Sequence, residues 1–416
     1  MRAIVTNVEK LSKLDSLRIL VISEHYYPTR GGSVTYVHNL CASLAKSGFS
    51  VYLVVPDGDG QPRERWEKEG SFYIHRVSVS KRFRKERYFP IFLSREFLSI
   101  ISEIQPDIIH IAYGFFAPLC MRLLNNKKIP IAWTVHNVPP AEHVFNVFRN
   151  EVINALFRDM YFKVVSVFST CCFRYYNYNK IICVSKSTEE KVIQKGVPQN
   201  KVCIVPNGIS TFIDSGKSYN TEGKRNGFTV LTVGGIIEHK GQLEVVKAAP
   251  YVLEAFPKTV FVFVGPIRSP AYLEAIKSTA ESLGVQDHIR ITGEVSDEIL
   301  HKYYDACDVY LQPSLQEGFC ITIMEAMAHG KPVVGAAVGA IPDLIGGDRG
   351  ILLNDLSEGS ISQALISLLG DIDLRHNFSE RGKKYIIDTY SWGKVAQKTE
   401  QLYQELLLDS ENSKYR

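Results

Sequence analysis

Short apolar runs alternate with helical periodicities along most of this chain of 416 residues. An apolar run over 17–23 predicts a strand, and it leads through a polar loop into a predicted helix from about 33 to 46. Within that helix Val34, Val37 and Cys41 recur near helical spacing, and Gly48 marks its end. Strands that alternate with helices in this way predict parallel sheets with helices on both faces.

The predicted strands fall into two series, one in each half of the chain. The first series contains the runs 17–23, 49–55, 108–111, 131–135, 181–184 and 202–205. The second series contains the runs 228–233, 260–264, 289–292, 309–311 and 332–335. Between them, 215–227 is rich in Gly, Ser, Asn and Lys, which is typical of a linker. The sequence therefore predicts two doubly wound α/β domains at 17–214 and 228–389, with an extension at 1–16 and a last segment at 390–416.

Composition indicates the cellular compartment in which the protein is expected. Hydrophobic residues make up 45% of the chain, and no stretch reaches the roughly 18 to 20 uncharged apolar residues of a membrane span. Residues 1–16 lack the apolar core of a signal peptide. The eight cysteines show neither a Cys-x-x-Cys pair nor zinc spacing, which indicates buried, reduced thiols. We expect a cytoplasmic protein.

Charge is distributed unevenly between the two halves. Residues 1–210 contain 28 Lys and Arg against 17 Asp and Glu, a net charge of +11, whereas 211–416 carry −7. This asymmetry indicates that the first half faces something anionic. Basic residues are interleaved with aromatic ones at 81–89 and 144–178, which suits peripheral attachment to an anionic membrane surface, although buried aromatics beside solvated cations would give the same pattern. No nucleic-acid-binding module is recognisable, so nucleic acid is not the expected partner.

Two glutamates eight residues apart, Glu317 and Glu325, give the strongest chemical signal. Glu317 falls in a loop after the predicted strand 309–311, and Glu325 falls in the helix that follows and ends at Gly330. The backbone N–H groups of Gly318, Phe319, Cys320 and Ile321 at the start of that helix predict an anion site. Carboxylates beside a phosphate site suit sugar hydroxyls. The alternative is an ordinary first-turn charge and a solvated helix position.

Three further candidates follow predicted strands. Gly31 and Gly32 open the first helix, where a backbone without Cβ atoms allows a phosphate to approach closely, but they do not form the dinucleotide fingerprint Gly-x-Gly-x-x-Gly. Lys240, in the loop that begins at Gly234, is placed to offset charge on a departing diphosphate. His136 ends the predicted strand 131–135. Each has a plain alternative: a strand-to-helix turn, an exposed loop lysine and a structural histidine.

The run from Pro313 to Pro332, with the strand and turn after it, resembles the donor-binding signature of retaining, nucleotide-sugar-dependent glycosyltransferases of the GT-B fold. These form glycosyltransferase family 4, the glycosyl transferases group 1. The resemblance extends over 17–408 and is stronger in the second half. It implies two Rossmann-like domains that face a cleft, with a C-terminal helix at 390–416 that crosses back to the first domain.

The resemblance also implies roles for the candidate residues. The donor would be a UDP- or GDP-linked sugar, the acceptor a glycan or lipid-linked molecule of surface polysaccharide or glycoconjugate biosynthesis, and neither a metal nor a cofactor is expected. Glu317 would hold sugar hydroxyls and developing charge, Lys240 the leaving diphosphate, Glu325 the ribose hydroxyls, and His136 would lie beside the donor sugar. The remaining expected donor contacts are Gly31, Gly32, Gly234, Val295, Gly318, Phe319, Cys320 and Ile321, with the backbone near Val295 meeting the base.

This chain departs from the family pattern at two positions. Gly235 stands where the family usually has an arginine, so either another basic residue takes over or the leaving group depends more on Lys240. Cys320 stands where most members have glycine, and we expect function to survive if its backbone angles are ordinary, with a side chain that narrows the sugar pocket. Two alternatives stay open: a non-hydrolysing nucleotide-sugar epimerase, and a degenerate sugar-nucleotide-binding protein without turnover.

Overall fold

The computed structural model describes residues 17–27, 31–57, 65–78, 85–114, 129–138, 167, 169–176, 178–209 and 227–414. These residues divide into two compact units. The first unit contains the described residues up to Gly208 together with those from Trp392 onward, and the second contains the described residues within Ile209–Ser391. The extension predicted at 1–16 lies outside the described residues, as does the predicted linker apart from Gly227.

The elements follow one another along the chain as strands and helices in alternation. The strands are β1 (Arg18–Ser23), β2 (Ser50–Pro56), β3 (Glu67–Glu69), β4 (Phe72–Val77), β5 (Ile108–Tyr113), β6 (Ile131–Val135), β7 (Lys180–Cys183), β8 (Val202–Ile204), β9 (Thr229–Val233), β10 (Val260–Val264), β11 (Ile289–Gly293), β12 (Val309–Gln312), β13 (Val333–Ala336) and β14 (Ile351–Leu353). The helices are α1 (Gly32–Lys46), α2 (Lys85–Ile104), α3 (Lys186–Gln194), α4 (Gln242–Ala255), α5 (Pro270–Ser282), α6 (Asp297–Ala306), α7 (Ile321–Ala328), α8 (Ile341–Ile345), α9 (Glu358–Gly370), α10 (Ile372–Thr389) and α11 (Trp392–Lys414).

Each unit is built on one twisted sheet. In the described part of the first unit the strand order is β3-β4-β2-β1-β5-β6-β7-β8, and only the short edge pair β3–β4 is antiparallel. The second sheet has the order β11-β10-β9-β12-β13-β14 and is parallel throughout. In the second sheet the strands up to β11 are added on one side of β9 and the later strands on the other side, so the strand order reverses between β9 and β12. In the first sheet the strand order reverses in the same way between β1 and β5. Such reversal points form crevices at the carboxyl ends of the strands.

The prediction of two doubly wound α/β units is confirmed, because the central strands are apolar runs buried on both faces. All five residues of β6 are buried, as are the last five of β1 and four of the five in β9 and in β10. Fully burying a Val, Leu, Ile or Phe side chain contributes about 1.5 to 3 kcal/mol each. A continuous apolar run of this kind is what a strand covered by helices on both faces requires.

Three strands were missed by the sequence analysis: β3, β4 and β14. β3 reads Glu-Lys-Glu and lies at the sheet edge, where charged side chains are tolerated because one face and one side meet water. β4 contains His75 and Arg76 among its apolar residues, which interrupts the continuous run expected of a buried strand. β14 has only three residues, and a run that short carries no periodicity.

Helix α11 belongs to the first unit, although it follows the whole second unit in the chain. Its residues Leu402, Tyr403 and Leu406 are buried in the core of that unit. The Tyr403 hydroxyl lies 2.6 Å from Nδ1 of His110, whose Nε2 lies 2.7 Å from Oγ1 of Thr134. Burial lowers the pKa of His110 to about 3, so its ring is neutral and forms one donor and one acceptor bond. The C-terminal helix is thereby hydrogen-bonded into the sheet that carries β5 and β6.

The aromatic stretch at 144–178 is described only in part. Phe173 and Tyr176 are buried in the core against Trp133, whereas Tyr175 is 62% exposed. For these two buried rings the alternative of ordinary core packing is therefore correct. Tyr178 is buried in the same core, whereas the other aromatic residues of that stretch and the side chains of 81–89 lie outside the described residues. Within the described part of the chain, no helix is long and apolar enough to cross a bilayer.

Candidate functional site

Lys240 and Glu317 lie in the two loops at the reversal point of the second sheet. Lys240 ends a single 3-10 turn after β9, and Glu317 lies in the loop between β12 and α7. Because β9 and β12 are neighbouring parallel strands, their carboxyl ends open onto one crevice. The structure brings these two predicted residues into direct contact: Lys240 Nζ lies 2.6 Å from Glu317 Oε1.

A chain of directed hydrogen bonds fixes the Glu317 carboxylate. The Tyr310 hydroxyl donates to Oε1 of Gln312, so the amide nitrogen of Gln312 points the other way and donates to Ser314 Oγ at 2.7 Å. Ser314 in turn donates to Glu317 Oε1 at 2.7 Å. Both Ser314 and Lys240 are donors to Oε1, which is the pattern expected around an ionised carboxylate. Gln312 and Ser314 are buried with no exposed surface, so the orientation is set from beneath the site.

One oxygen of Glu317 is committed to this network and the other is not. All the hydrogen bonds to its carboxylate from described residues end on Oε1. Oε2 accepts no hydrogen bond from a described residue and is not among the fully buried atoms without a partner there. The carboxylate is therefore held rigidly while one oxygen stays available to accept hydrogen bonds from a ligand.

The Lys240–Glu317 pair is largely withdrawn from water, with side chains 19% and 10% exposed. Burial alone would lower the pKa of Lys240, but the adjacent Glu317 carboxylate outweighs it, and the pKa stands above its usual value. Lys240 is accordingly charged at neutral pH. Removing one member of such a pair costs about 3 to 5 kcal/mol when it is fully buried, because the remaining charge is left uncompensated.

Backbone contacts hold the two loops together. The Leu315 N–H donates to the His239 carbonyl at 2.8 Å, next to Lys240. Gly241, with φ of 71°, follows Lys240, and a Cβ there would lie only 1.9 Å from the Pro313 carbonyl oxygen. Only glycine permits both that backbone conformation and that approach. The loop glycine thus allows Lys240 to lie over the strand end that carries Glu317.

Glu325 lies on α7 and has a separate partner. The Tyr304 hydroxyl donates to Glu325 Oε2 at 2.7 Å, and Tyr304 is fully buried. Burial raises the pKa of Glu325 to about 7. Among the described residues no donor to Oε1 is recorded, so Glu325, like Glu317, keeps one oxygen for a ligand. The alternative of a solvated helix position does not fit a carboxylate anchored to a buried tyrosine.

The helix start differs from the expectation at Cys320. Its backbone is left-handed, with φ of 70° and ψ of 68°, so the condition of ordinary angles is not met. This conformation costs a non-glycine residue about 1 to 2 kcal/mol. Its side chain is buried, with Sγ 3.5 Å from Thr322 Oγ1, and burial followed by the nearby Glu317 raises the thiol pKa to about 12. The thiol is protonated and packed beneath the loop, so the expectation that it narrows the pocket has no support here.

The other donor contacts predicted in the second unit lie in this loop and in the turns after β9 and β11. Phe319 is 6% exposed and packs edge-on against Tyr390, so a ligand can meet it only through its backbone. Gly318 and Ile321 are half-buried, and Ile321 is the first residue of α7. Val295 is half-buried in the turn between β11 and α6, at the same carboxyl edge of the sheet. Gly234 lies directly after β9, and the Lys240 side chain passes over it.

In the first unit, His136 follows β6 and has a defined tautomer. Its Nε2 lies 2.9 Å from the Ala112 carbonyl oxygen, which can only accept, so the proton is on Nε2. Burial lowers the pKa of His136 to about 4, which keeps the ring neutral and Nδ1 unprotonated. The ring packs against Tyr36 and Tyr113. His136 is therefore suited to accept a hydrogen bond from a hydroxyl, not to act as a cation.

Gly31 and Gly32 lie where α1 begins, at the reversal point of the first sheet. Gly31 has φ of 144°, and a Cβ there would meet no atom of the described residues within 4 Å. Its carbonyl accepts hydrogen bonds from Val34 and Thr35, which starts the helix. That a phosphate approaches this turn closely stays a prediction.

Each half of the chain matches a model of a known protein family. The family model described as Glycosyltransferase Family 4 matches residues 30–211, and the one described as Glycosyl transferases group 1 matches residues 217–385. The chain belongs to glycosyltransferase family 4. Its fold is the GT-B fold expected from the resemblance. The carboxylates, the lysine and the start of α7 described above all lie within the part of the chain that the second model matches.

Similar proteins include two named enzymes that align along nearly the whole glycosyltransferase. The phosphatidylinositol N-acetylglucosaminyltransferase gpi3 subunit of Schizosaccharomyces pombe is 22% identical over 400 residues, which are 94% of this chain and 81% of that protein. N-acetyl-alpha-D-glucosaminyl L-malate synthase of Bacillus anthracis is 23% identical over 400 residues, 93% and 97% of the two chains.

Two solved structures share the fold. Sucrose-phosphate synthase from Thermosynechococcus elongatus superposes with a TM-score of 0.77 at 20% identity and covers 94% of this chain and 100% of that one. Anabaena HepE in complex with UDP-glucose gives a TM-score of 0.72 at 16% identity and covers 94% and 100%. At these identities the superpositions establish the fold of the glycosyltransferase.

Four residues that orient the two candidate carboxylates were not predicted from the sequence: Tyr304, Tyr310, Gln312 and Ser314. They do not extend toward the open side of the crevice but hold Glu317 and Glu325 from within. The one available signal was Gln312, a polar residue that ends an apolar strand immediately before the Glu317 loop. In the sequence Tyr304 and Tyr310 are typical of core aromatics. The partner of Tyr304, Glu325, is 21 residues away, and Tyr310 bonds to Gln312 beneath the loop.

The strained backbone of Cys320 gives a stability prediction. Cys320→Gly should be more stable than Cys320→Ala by about 1 kcal/mol, because only glycine adopts the left-handed conformation without cost and both variants lose the same thiol. In thermal unfolding this corresponds to about 2 to 4 °C for a unit of this size. Equal midpoints, or a more stable alanine variant, would show that the backbone conformation carries no cost.

Proposed function

We propose that this glycosyltransferase transfers a sugar from a nucleoside diphosphate donor to an acceptor hydroxyl with retention of anomeric configuration. One observation carries the proposal: at the reversal point of the second sheet, a charged lysine and a rigidly held carboxylate with one open oxygen lie beside the amides that begin α7. A diphosphate needs the cation and the amides, whereas sugar hydroxyls need the carboxylate oxygen.

The chemistry follows from these groups. The bond between the anomeric carbon and the diphosphate oxygen breaks, and its electron pair leaves with the diphosphate, where Lys240 and the helix amides stabilise the added charge. Glu317 Oε2 accepts a sugar hydroxyl and stabilises the positive charge that develops at the anomeric carbon. The acceptor oxygen forms the new bond on the same face, and its proton passes to an oxygen of the leaving phosphate. Glu325 binds the ribose hydroxyls, and His136 Nδ1 accepts a hydroxyl hydrogen bond from the donor sugar.

The donor is proposed to be a UDP-linked sugar, with N-acetylglucosamine as the first choice. The names of two relatives contain the N-acetylglucosaminyl group, and Anabaena HepE, which shares the fold, forms a complex with UDP-glucose. The transfer is proposed to need no metal, since Lys240 and the amides face the diphosphate. Activity that survives EDTA supports this part, and activity that EDTA abolishes and Mg²⁺ restores contradicts it.

The acceptor is proposed to be a glycan or a lipid-linked molecule of glycoconjugate synthesis. The net charge of +11 over 1–210 suits an anionic acceptor or peripheral attachment to an anionic membrane surface. The buried Phe173 and Tyr176 take no part in such attachment. Flotation with anionic vesicles at low salt tests it: protein that floats with the vesicles supports attachment, and protein that stays at the bottom excludes it.

Turnover of candidate donors tests the function itself. Purified protein is incubated with UDP-N-acetylglucosamine, UDP-glucose and the corresponding GDP and ADP sugars, with and without simple glycan acceptors, and the products are followed by proton NMR. Release of the nucleoside diphosphate, with the first-formed sugar product in the donor's α configuration, supports the proposal. A β product contradicts retention. Epimerised sugar nucleotide formed without acceptor would assign the epimerase alternative, and binding without any turnover would assign the degenerate binder.

A further inference from the structure

The charge balance of the donor site requires a second cation. Lys240 is paired with Glu317 at 2.6 Å, so the two residues together contribute no net charge where the diphosphate of a sugar nucleotide would lie. A nucleoside diphosphate leaving group carries at least two negative charges. Helix amides supply partial charge only. A cation that no protein carboxylate already neutralises is therefore expected near the carboxyl ends of β9 and β10.

Arg268 meets this requirement by position. It lies in the loop between β10 and α5, immediately before Ser269, the residue that caps α5. Its side chain is exposed, and in the described part of the chain its guanidinium has neither a hydrogen-bond nor an ion-pair partner. The residue is thus a charged group at the same edge of the sheet as Lys240, with its charge uncommitted.

The loop that carries Arg268 is pinned to the loop that follows β9. The Ile236 N–H donates to the Pro266 carbonyl at 2.9 Å, and the Arg268 N–H donates to the Ile236 carbonyl at 3.2 Å. Ser269 Oγ donates to the Glu238 carboxylate at 2.7 Å, two residues before Lys240. The backbone of Arg268 is therefore held against the Lys240 loop while its side chain stays unrestrained.

The absence of a side chain at Gly235 makes room for Arg268. A Cβ placed on Gly235 would lie 3.1 Å from Arg268 Cγ, and one placed on Gly234 would lie 3.4 Å from Lys240 Cδ. The aliphatic parts of the two side chains thus run past consecutive glycines, Lys240 beside Gly234 and Arg268 beside Gly235. A larger residue at 235 would press on the arginine stem and displace it.

We infer that Arg268 binds the diphosphate of the sugar nucleotide and is the second cation of the donor site, beside Lys240. This assignment rests on the proposed function, since it presupposes a nucleoside diphosphate ligand. Arg268 would then supply the positive charge that the family's usual arginine supplies at the position of Gly235. Arg268 is able to hold two phosphate oxygens at once, because a guanidinium presents paired N–H donors.

The test compares Arg268→Gln with Lys277→Gln, which removes an exposed cation of the same charge from α5. Calorimetry measures the dissociation constants of UDP, GDP, ADP and UMP for each protein. For the diphosphate that the wild type binds, we expect Arg268→Gln to weaken binding about 10- to 100-fold, the range for a lost hydrogen bond to a charged group. UMP binding should change less than threefold, and Lys277→Gln should match the wild type.

A second variant separates a ligand contact from a structural role. Gly235→Arg combined with Arg268→Ala moves the cation to the neighbouring loop and removes the stem that would crowd it. We expect this pair to recover most of the UDP affinity that Arg268→Ala alone loses. Equal UDP affinity in Arg268→Gln and wild type would overturn the assignment of Arg268 alone. A wild type that binds no nucleoside diphosphate would overturn the proposed function together with it.

Discussion

Replacing Glu317 with glutamine should lower kcat by about 10³-fold and leave the fold intact, because the change removes a full negative charge from beside the reacting carbon and keeps its shape. UDP binding should change in the opposite direction and become tighter. In the wild type the charge of Lys240 is neutralised by Glu317 at 2.6 Å, whereas in the variant it is free for the diphosphate. Steady-state kinetics and calorimetry on the same preparation measure both effects.

A matched control for Glu317 is Lys240→Met, alone and combined with Glu317→Gln. The single lysine variant leaves an uncompensated, mostly buried carboxylate, so it should be less stable than the double variant. The losses in kcat should be far from additive, since each residue acts through contact with the other. A Glu317→Gln enzyme that keeps a third or more of the wild-type turnover would rule out the role assigned to this carboxylate.

Glu325→Gln should abolish a pH dependence of donor binding that the wild type shows around neutrality. Burial raises the pKa of Glu325 to about 7, so its carboxylate becomes ionised only as the pH passes through this value. A carboxylate accepts hydrogen bonds from both ribose hydroxyls better than a carboxylic acid does. UDP affinity of the wild type should therefore rise about tenfold between pH 6 and pH 8. The variant should bind weakly and equally at both values, and an unchanged wild-type affinity would contradict the assignment.

The same substitution should stabilise the protein above neutrality. A carboxyl group whose pKa is raised on folding favours the folded state below the unfolded pKa near 4.5, and this contribution is lost as the pH rises through about 7. At pH 8 Glu325→Gln should therefore exceed the wild type by about 1 to 3 kcal/mol, and below pH 5 the difference should vanish. The amide still accepts the Tyr304 hydrogen bond. If Glu325→Gln stabilises the protein but weakens UDP binding, Glu325 contributes to binding at the expense of stability.

The fold was predictable because the central strands, such as β6 and β9, are uninterrupted apolar runs bounded by loops. One edge of each sheet was not, since β3 is charged and β14 has three residues, and local sequence does not distinguish such segments from loops. Tertiary pairing alone makes them strands.

The candidate site was predictable where a residue lies at the carboxyl end of a strand or on the helix that follows. Glu317, Glu325 and Lys240 follow strands or lie on the next helix, where the chain pattern exposes them. Arg268 and Tyr304 were not predicted because their contacts are with residues distant in sequence, which sequence spacing does not report. The left-handed backbone of Cys320 was likewise invisible, because the cysteine side chain gives no sign of the φ angle its loop requires.

A structure of the protein in complex with UDP tests most directly whether the second unit binds the donor. We expect the diphosphate to contact Lys240 Nζ and the backbone amides that begin α7, the ribose hydroxyls to donate to Glu325, and the base to lie near Val295. Nucleotide bound at another place, or a diphosphate out of reach of both Lys240 and the α7 amides, would contradict this expectation.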